Sequence, residues 1–155
     1  NRCAKQAPER RRVTRTSAAM ALTAATAMAA YCASLGATGN PPEINYMLHC
    51  QGCHLPGGIG HPGIVPRMQG EVGAFLDSPA GRAYLVQVPG AAQSSLDDAE
   101  LAAVLNWMLP TFDQRVKPDF TRYTAEEVAR YRKTQLTNVS ALRRKIRADG
   151  GRAPE

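Results

Sequence analysis

Cys50, Cys53 and His54 are the residues of this chain whose types and spacing can do chemistry. They fall in one pentapeptide, Cys50-Gln51-Gly52-Cys53-His54, the only place where two cysteines and a histidine sit together. The C-x-x-C-H pattern reads as covalent c-type haem attachment. Two thiols three residues apart, at the end of a short helix, can reach the two vinyl groups on one edge of a haem. The adjoining imidazole can then ligate the iron. The same cysteines also fit a redox dithiol or half of a zinc site. A zinc site needs further ligands at matching spacing, and no second C-x-x-C or H-x-x-x-H follows. A thioredoxin-like dithiol sits near a βαβ pattern, and no strand pattern precedes Cys50. Haem attachment uses all three residues; the dithiol is the alternative.

The elements around the pentapeptide follow from local pattern. A helix can start at Glu43, after Pro41 and Pro42, and run into Cys50. Ile44, Met47 and Leu48 recur along it at i, i+3, i+4, a narrow apolar face. His49 reads as a solvent-facing helix residue. From Leu55 to Pro66 the chain is dense in Pro and Gly, which breaks any regular element. A loop of that length is usually functional; here it would wrap the haem edge on the histidine side. Gln69 to Leu76 and Gly81 to Val88 each suit a short helix. Val72, Phe75 and Leu76 mark one buried face, and Tyr84, Leu85 and Val88 another. Val88-Pro89-Gly90 reads as a loop. Ser95 and Asp98 form an S-x-x-D capping box that opens the best helix of the chain. Its apolar stripe is Leu101, Val104, Leu105 and Met108. Trp107 lies inside it, and Pro110 is its expected stop.

A chain of 155 residues predicts one domain, and its charge is unevenly spread. Residues 1–33 carry six Lys/Arg and one Glu, residues 34–110 two Arg and six Asp/Glu, and residues 111–155 eleven Lys/Arg and six Asp/Glu. An acidic middle between basic ends argues against a basic nucleic-acid-binding domain, so no nucleic-acid partner is expected. Arg10, Arg11, Arg12 and Arg15 precede an uncharged small-residue run from Ala18 to Ala30. That is the layout of a signal peptide over residues 1–33, followed by a linker over 34–42, and it predicts bacterial-type export to the periplasm. Cleavage fits after Ala29 or nearer Ala37. The run is short for a membrane span, so membrane association would come only through an uncleaved leader. Cys3 and Cys32 fall in this leader, which leaves no disulfide framework elsewhere. Beyond residue 110, Thr124 and Glu127 make a second capping box. Val128, Tyr131, Val139, Leu142 and Ile146 form a broken stripe among seven Arg and Lys residues. Residues 111–155 thus read as a basic helical extension with a break near Asn138 and a disordered end from 149.

A leader, a short helix ending in Cys50-Gln51-Gly52-Cys53-His54, a Gly/Pro loop and a capped helix bearing Trp107 together resemble a class I cytochrome c, over about residues 40–110. The resemblance implies an all-α fold: a bundle of short helices around one covalently bound haem c and its iron, followed here by the basic extension. It implies haem attachment at Cys50 and Cys53, with His54 as the proximal iron ligand. It further implies that Glu43–Gln51 and Asp97–Leu109 cross near the haem edge, with Trp107 in the aromatic contact. The carbonyl of Pro66 would accept the imidazole N–H and fix the ring. The chain departs from the family at the sixth ligand: Val88 stands before Pro89, where the family places a methionine. Met68 is a candidate sixth ligand, or else the apolar residue that the family packs on the histidine side. Met108 reads as core, and His61 would need an unusual path across the haem. A five-coordinate iron is the other option. The implied function is electron carriage, not enzymatic catalysis, between redox partner proteins that dock electrostatically, or within a redox complex, which the extension favours. The alternative is a haem enzyme or a gas or peroxide binder with an open sixth position. Against it, Arg82 and Gln87 are the only polar side chains near the predicted distal stretch. The basic tail would either fold back on the acidic core or grip an acidic partner.

Overall fold

A computed structural model describes residues 39–150. The leader, most of the linker and residues 151–155 lie outside the described residues. The expectation of an all-α architecture holds. Pro42–His49 (α1) and Gln51–His54 (α2) meet at Cys50, and a 3₁₀ turn, Pro56–Gly58, follows. A second 3₁₀ stretch, Val72–Asp77, leads into Pro79–Gln87 (α3) and Pro89–Ala92 (α4). Asp98–Phe112 (α5), Ala125–Arg132 (α6) and Val139–Gly150 (α7) complete the order. Among the described residues there is no β-strand, only an isolated bridge between His61 and Val65. No described helix is long and apolar enough to cross a membrane.

Three local readings are corrected. The cap of α5 is Asp97, not Ser95: its carboxylate accepts the Glu100 N–H at 2.8 Å, and Glu100 accepts the Asp97 N–H at 3.0 Å. A charged, reciprocal box outcompetes a serine hydroxyl two residues earlier. Pro110 does not stop this helix, which runs to Phe112. The proline falls in the last turn and lies on the exposed side. Thr111 Oγ1 donates to the Trp107 carbonyl at 2.6 Å, and the Asp113 N–H closes on Leu109. Val88-Pro89-Gly90 is not plain loop, because Pro89 starts the single turn α4 in the first position, where a missing N–H costs nothing.

The core is one cluster, and the tail belongs to it. Phe75 and Tyr84 stack at 5.0 Å between the second 3₁₀ stretch and α3, beside Val86, Leu101, Val104, Leu105 and Leu109. Val116, Tyr123, Val128 and Ile146 are buried in the same cluster. The break expected near Asn138 is present: Asn138 Oδ1 accepts the Ala141 N–H as α7 begins. The tail folds back on the acidic middle. Arg132 pairs with Asp98 at 2.9 Å, and Arg143 and Arg147 both reach Glu71. In the opposite sense, Glu127 at the start of α6 pairs with Arg82 at 2.8 Å.

Candidate functional site

The pentapeptide sits on a helix that kinks once. Cys50 closes α1 with its N–H on Tyr46 O at 2.9 Å, and its own carbonyl receives the His54 N–H at 3.0 Å. Residues three and four apart on a helix share a face, so the α2 turn brings Cys53 and His54 to the side of Cys50. Neither cysteine is in a disulfide; Cys50 is half-buried and Cys53 exposed. Burial, followed by the neighbouring Cys53, pushes the Cys50 thiol up. A dithiol nucleophile requires the opposite direction. Among the described residues no three His, Cys, Asp or Glu side chains converge as a metal cage.

His54 is half-buried, and its inner nitrogen, Nδ1, is buried with no hydrogen-bond partner among the described residues. Burial lowers its pKa, and the nearby Pro66 carbonyl raises it part-way without reaching bonding geometry. The imidazole is therefore held neutral near pH 7, the state in which histidine binds metal. Pro66 reaches this place through a loop that reverses at Gly60. The Gly60 N–H bonds the His54 carbonyl at 2.9 Å. A Cβ at Gly60, whose φ is +64°, would lie 2.5 Å from the Val65 carbonyl oxygen and 2.8 Å from that of Pro66. Only glycine allows this approach.

Leu55, directly after His54, has φ +64° and ψ 164°, a region that side-chain-bearing residues avoid at a cost of about 1–3 kcal/mol. Its flanking peptides are both pinned. The Leu55 N–H bonds Gln51 O at 2.8 Å, and the Leu55 carbonyl accepts from the Tyr46 hydroxyl at 2.8 Å and the Gly58 N–H at 3.1 Å. Tyr46 is 2% exposed. Its ring packs on Trp107 at 5.6 Å and on Phe112 at 5.0 Å, which fixes α1 against α5. Tyr46 and Leu55 escaped the sequence reading. The apolar stripe of α1 misled it: Asn45 and Tyr46 are buried, whereas Met47 and Leu48 are 54% and 65% exposed. An aromatic ring with a carbonyl partner for its hydroxyl buries more area than a leucine or methionine, and it sets the rotation of the helix.

Met68 is partly buried against the core, beside Gly58 and Phe112, with its N–H on Gly58 O at 2.8 Å. Met108 is core, and His49 and His61 are exposed. Val88 packs on the core at the end of α3. Arg82 is committed to Glu127 and the Thr121 carbonyl, and Gln87 donates to Tyr131 O at 3.3 Å. Comparison of the chain with protein-family models, with curated proteins and with solved structures gives no match.

Proposed function

We propose that this chain is an exported mono-haem c-type cytochrome that carries electrons between redox partner proteins or within a redox complex. One observation carries the reading. Cys50, Cys53 and His54 lie within one helical turn past the kink, and the half-buried imidazole keeps Nδ1 unsatisfied near the Pro66 carbonyl. The donor set suits the group: Cys50 and Cys53 would hold it through thioethers, and His54 would bind iron through Nε2. When bound, haem supplies a one-electron iron couple. The chain's own part is to hold the ring of His54 neutral and to place it through the Gly60 N–H on the His54 carbonyl. A redox dithiol would leave His54 without a role. Electron carriage is favoured over the enzyme alternative because Arg82 and Gln87 are tied to the tail. Met68 stays the candidate sixth ligand of the iron.

The test is to make the full chain in a host competent for cytochrome maturation. The expected product has the added mass of one haem and low-spin reduced bands that carbon monoxide does not shift. A colourless product of apoprotein mass overturns the proposal. A carbon monoxide shift moves the reading to a ligand binder with an open sixth position. An unchanged spectrum in Met68→Ala removes that residue as ligand.

A further inference from the structure

Leu55 is held in a conformation it resists, and the hydroxyl of buried Tyr46 is among the groups that hold it there. The N-terminal side of Leu55 is fixed by the α2 turn through Gln51 O. Its C-terminal side is fixed by two donors on one carbonyl, Tyr46 Oη and the Gly58 N–H. The Gly58 donor sits on the 3₁₀ turn with φ +71°, buried against Phe112 and Met68. Tyr46 sits on a ring locked between Trp107 and Phe112. Of the two, the tyrosine is the side-chain donor, and it ties the strained peptide to the α1–α5 packing. Strain of this kind persists only when the surroundings over-determine it. The residue on the other side of the strained bond system is His54, whose own carbonyl is bound by the Gly60 N–H.

We propose that Tyr46 is a positioning residue: through the Leu55 carbonyl it sets the direction in which His54 presents its imidazole. This rests on the reading of His54 as an iron ligand. The tyrosine ring accounts for helix packing, and the hydroxyl accounts for the orientation of the ligand; the two roles separate in Tyr46→Phe, which keeps the ring and removes the hydroxyl.

The experiment uses the full-length, haem-loaded chain, and haem loading of the wild type is verified first by mass, so failure of the underlying reading is seen separately. The readout is the pattern of paramagnetically shifted haem-methyl resonances in the oxidised protein, which follows the plane of the axial imidazole and is insensitive to a mere loss of stability. Tyr46→Phe is expected to change that pattern and to shift the reduction potential. Adding Leu55→Gly, which relieves the strain at the same φ, is expected to return the pattern towards wild type. An unchanged pattern in Tyr46→Phe overturns the proposal. If Tyr46→Phe does not accumulate, Leu55→Gly alone decides. A wild-type methyl pattern upholds the tyrosine-held carbonyl and an altered pattern overturns it, while Tm does not decide, because losing the half-buried leucine side chain lowers stability by itself.

Discussion

A methyl group at Gly60 has nowhere to go, whereas one at Gly57 meets open space; both glycines have positive φ. The pair therefore separates conformational strain from steric collision. Gly57→Ala should cost about 1–2 kcal/mol, and Gly60→Ala about 1–3 kcal/mol more, because the Val65 and Pro66 carbonyls must move. Urea denaturation of the two variants measures the difference; equal losses would show that the loop yields freely. Asp113, 1% exposed, accepts the Gly73 N–H at 2.9 Å and pairs with Arg115. Its hydrogen bonds to Arg115, foremost, hold its carboxyl below the ordinary range despite burial. Its folded pKa thus lies below its unfolded one, so its contribution is present above the unfolded value and is lost as pH falls through the folded value. Asp113→Asn keeps an acceptor for Gly73 and should lower stability at neutral pH by about 1–3 kcal/mol, while flattening the acid limb of a stability-against-pH curve. An acid limb as steep as wild type would remove Asp113 from the account. At this scale the sequence shows the pentapeptide, because residue type and spacing carry it; it does not show that the Pro66 carbonyl, which the resemblance makes the imidazole's acceptor, stands near His54 without bonding it. It hides Leu55, since nothing in a leucine announces a positive φ.

Helices were legible where periodicity is long, as in α5 and in the second turn of α7, and illegible where caps and rotation decide. Ser95 and Asp97 both qualify as caps by type; the reciprocal bond with Glu100 chooses between them. The rotation of α1 was hidden because a leucine–methionine stripe looks more buried than Tyr46 until Trp107 and Phe112 are in place. The densest polar tie between elements, among the described residues, is Arg132 on α6. Its guanidinium reaches Leu96 O, Asp98 Oδ1, Ser94 O and Ser94 Oγ, at 2.9–3.2 Å, so one side chain gathers the whole segment before α5. Lysine keeps the charge but lacks the planar fork. Arg132→Lys should therefore cost about 1.5–3 kcal/mol and speed amide hydrogen exchange across residues 94–98. Arg130→Lys, exposed on the same helix, should change stability by no more than about 0.5 kcal/mol. If the Arg132 variant exchanges like wild type, the segment is held by its own turn and not by α6.

At the scale of the molecule, the charge pattern announced a basic tail and an acidic middle, and it could not say whether the two meet. They do, but the ion pairs are not what joins them most firmly. The Arg143 and Arg147 contacts with Glu71 are a quarter or more exposed, and such pairs contribute about 0–1 kcal/mol each. Val116, Tyr123, Val128 and Ile146 lie in the common core, and burying each contributes about 1.5–3 kcal/mol. Together these four approach the whole stability of a domain, about 5–15 kcal/mol. Salt and truncation consequently act very differently. Raising ionic strength screens the pairs and should lower Tm by only a few degrees. Ending the chain at Phe112 uncovers the face that the four residues occupy, and should abolish cooperative unfolding by calorimetry and circular dichroism. It also strips Arg82 of Glu127 and of the Tyr123 ring beneath it, which leaves a half-buried guanidinium without its partners. A chain of residues 39–112 that melts cooperatively near the full-length Tm would mean that the tail merely rests on a core complete without it. Strong salt sensitivity of the full chain would instead transfer the weight of the joint from apolar burial to its ion pairs.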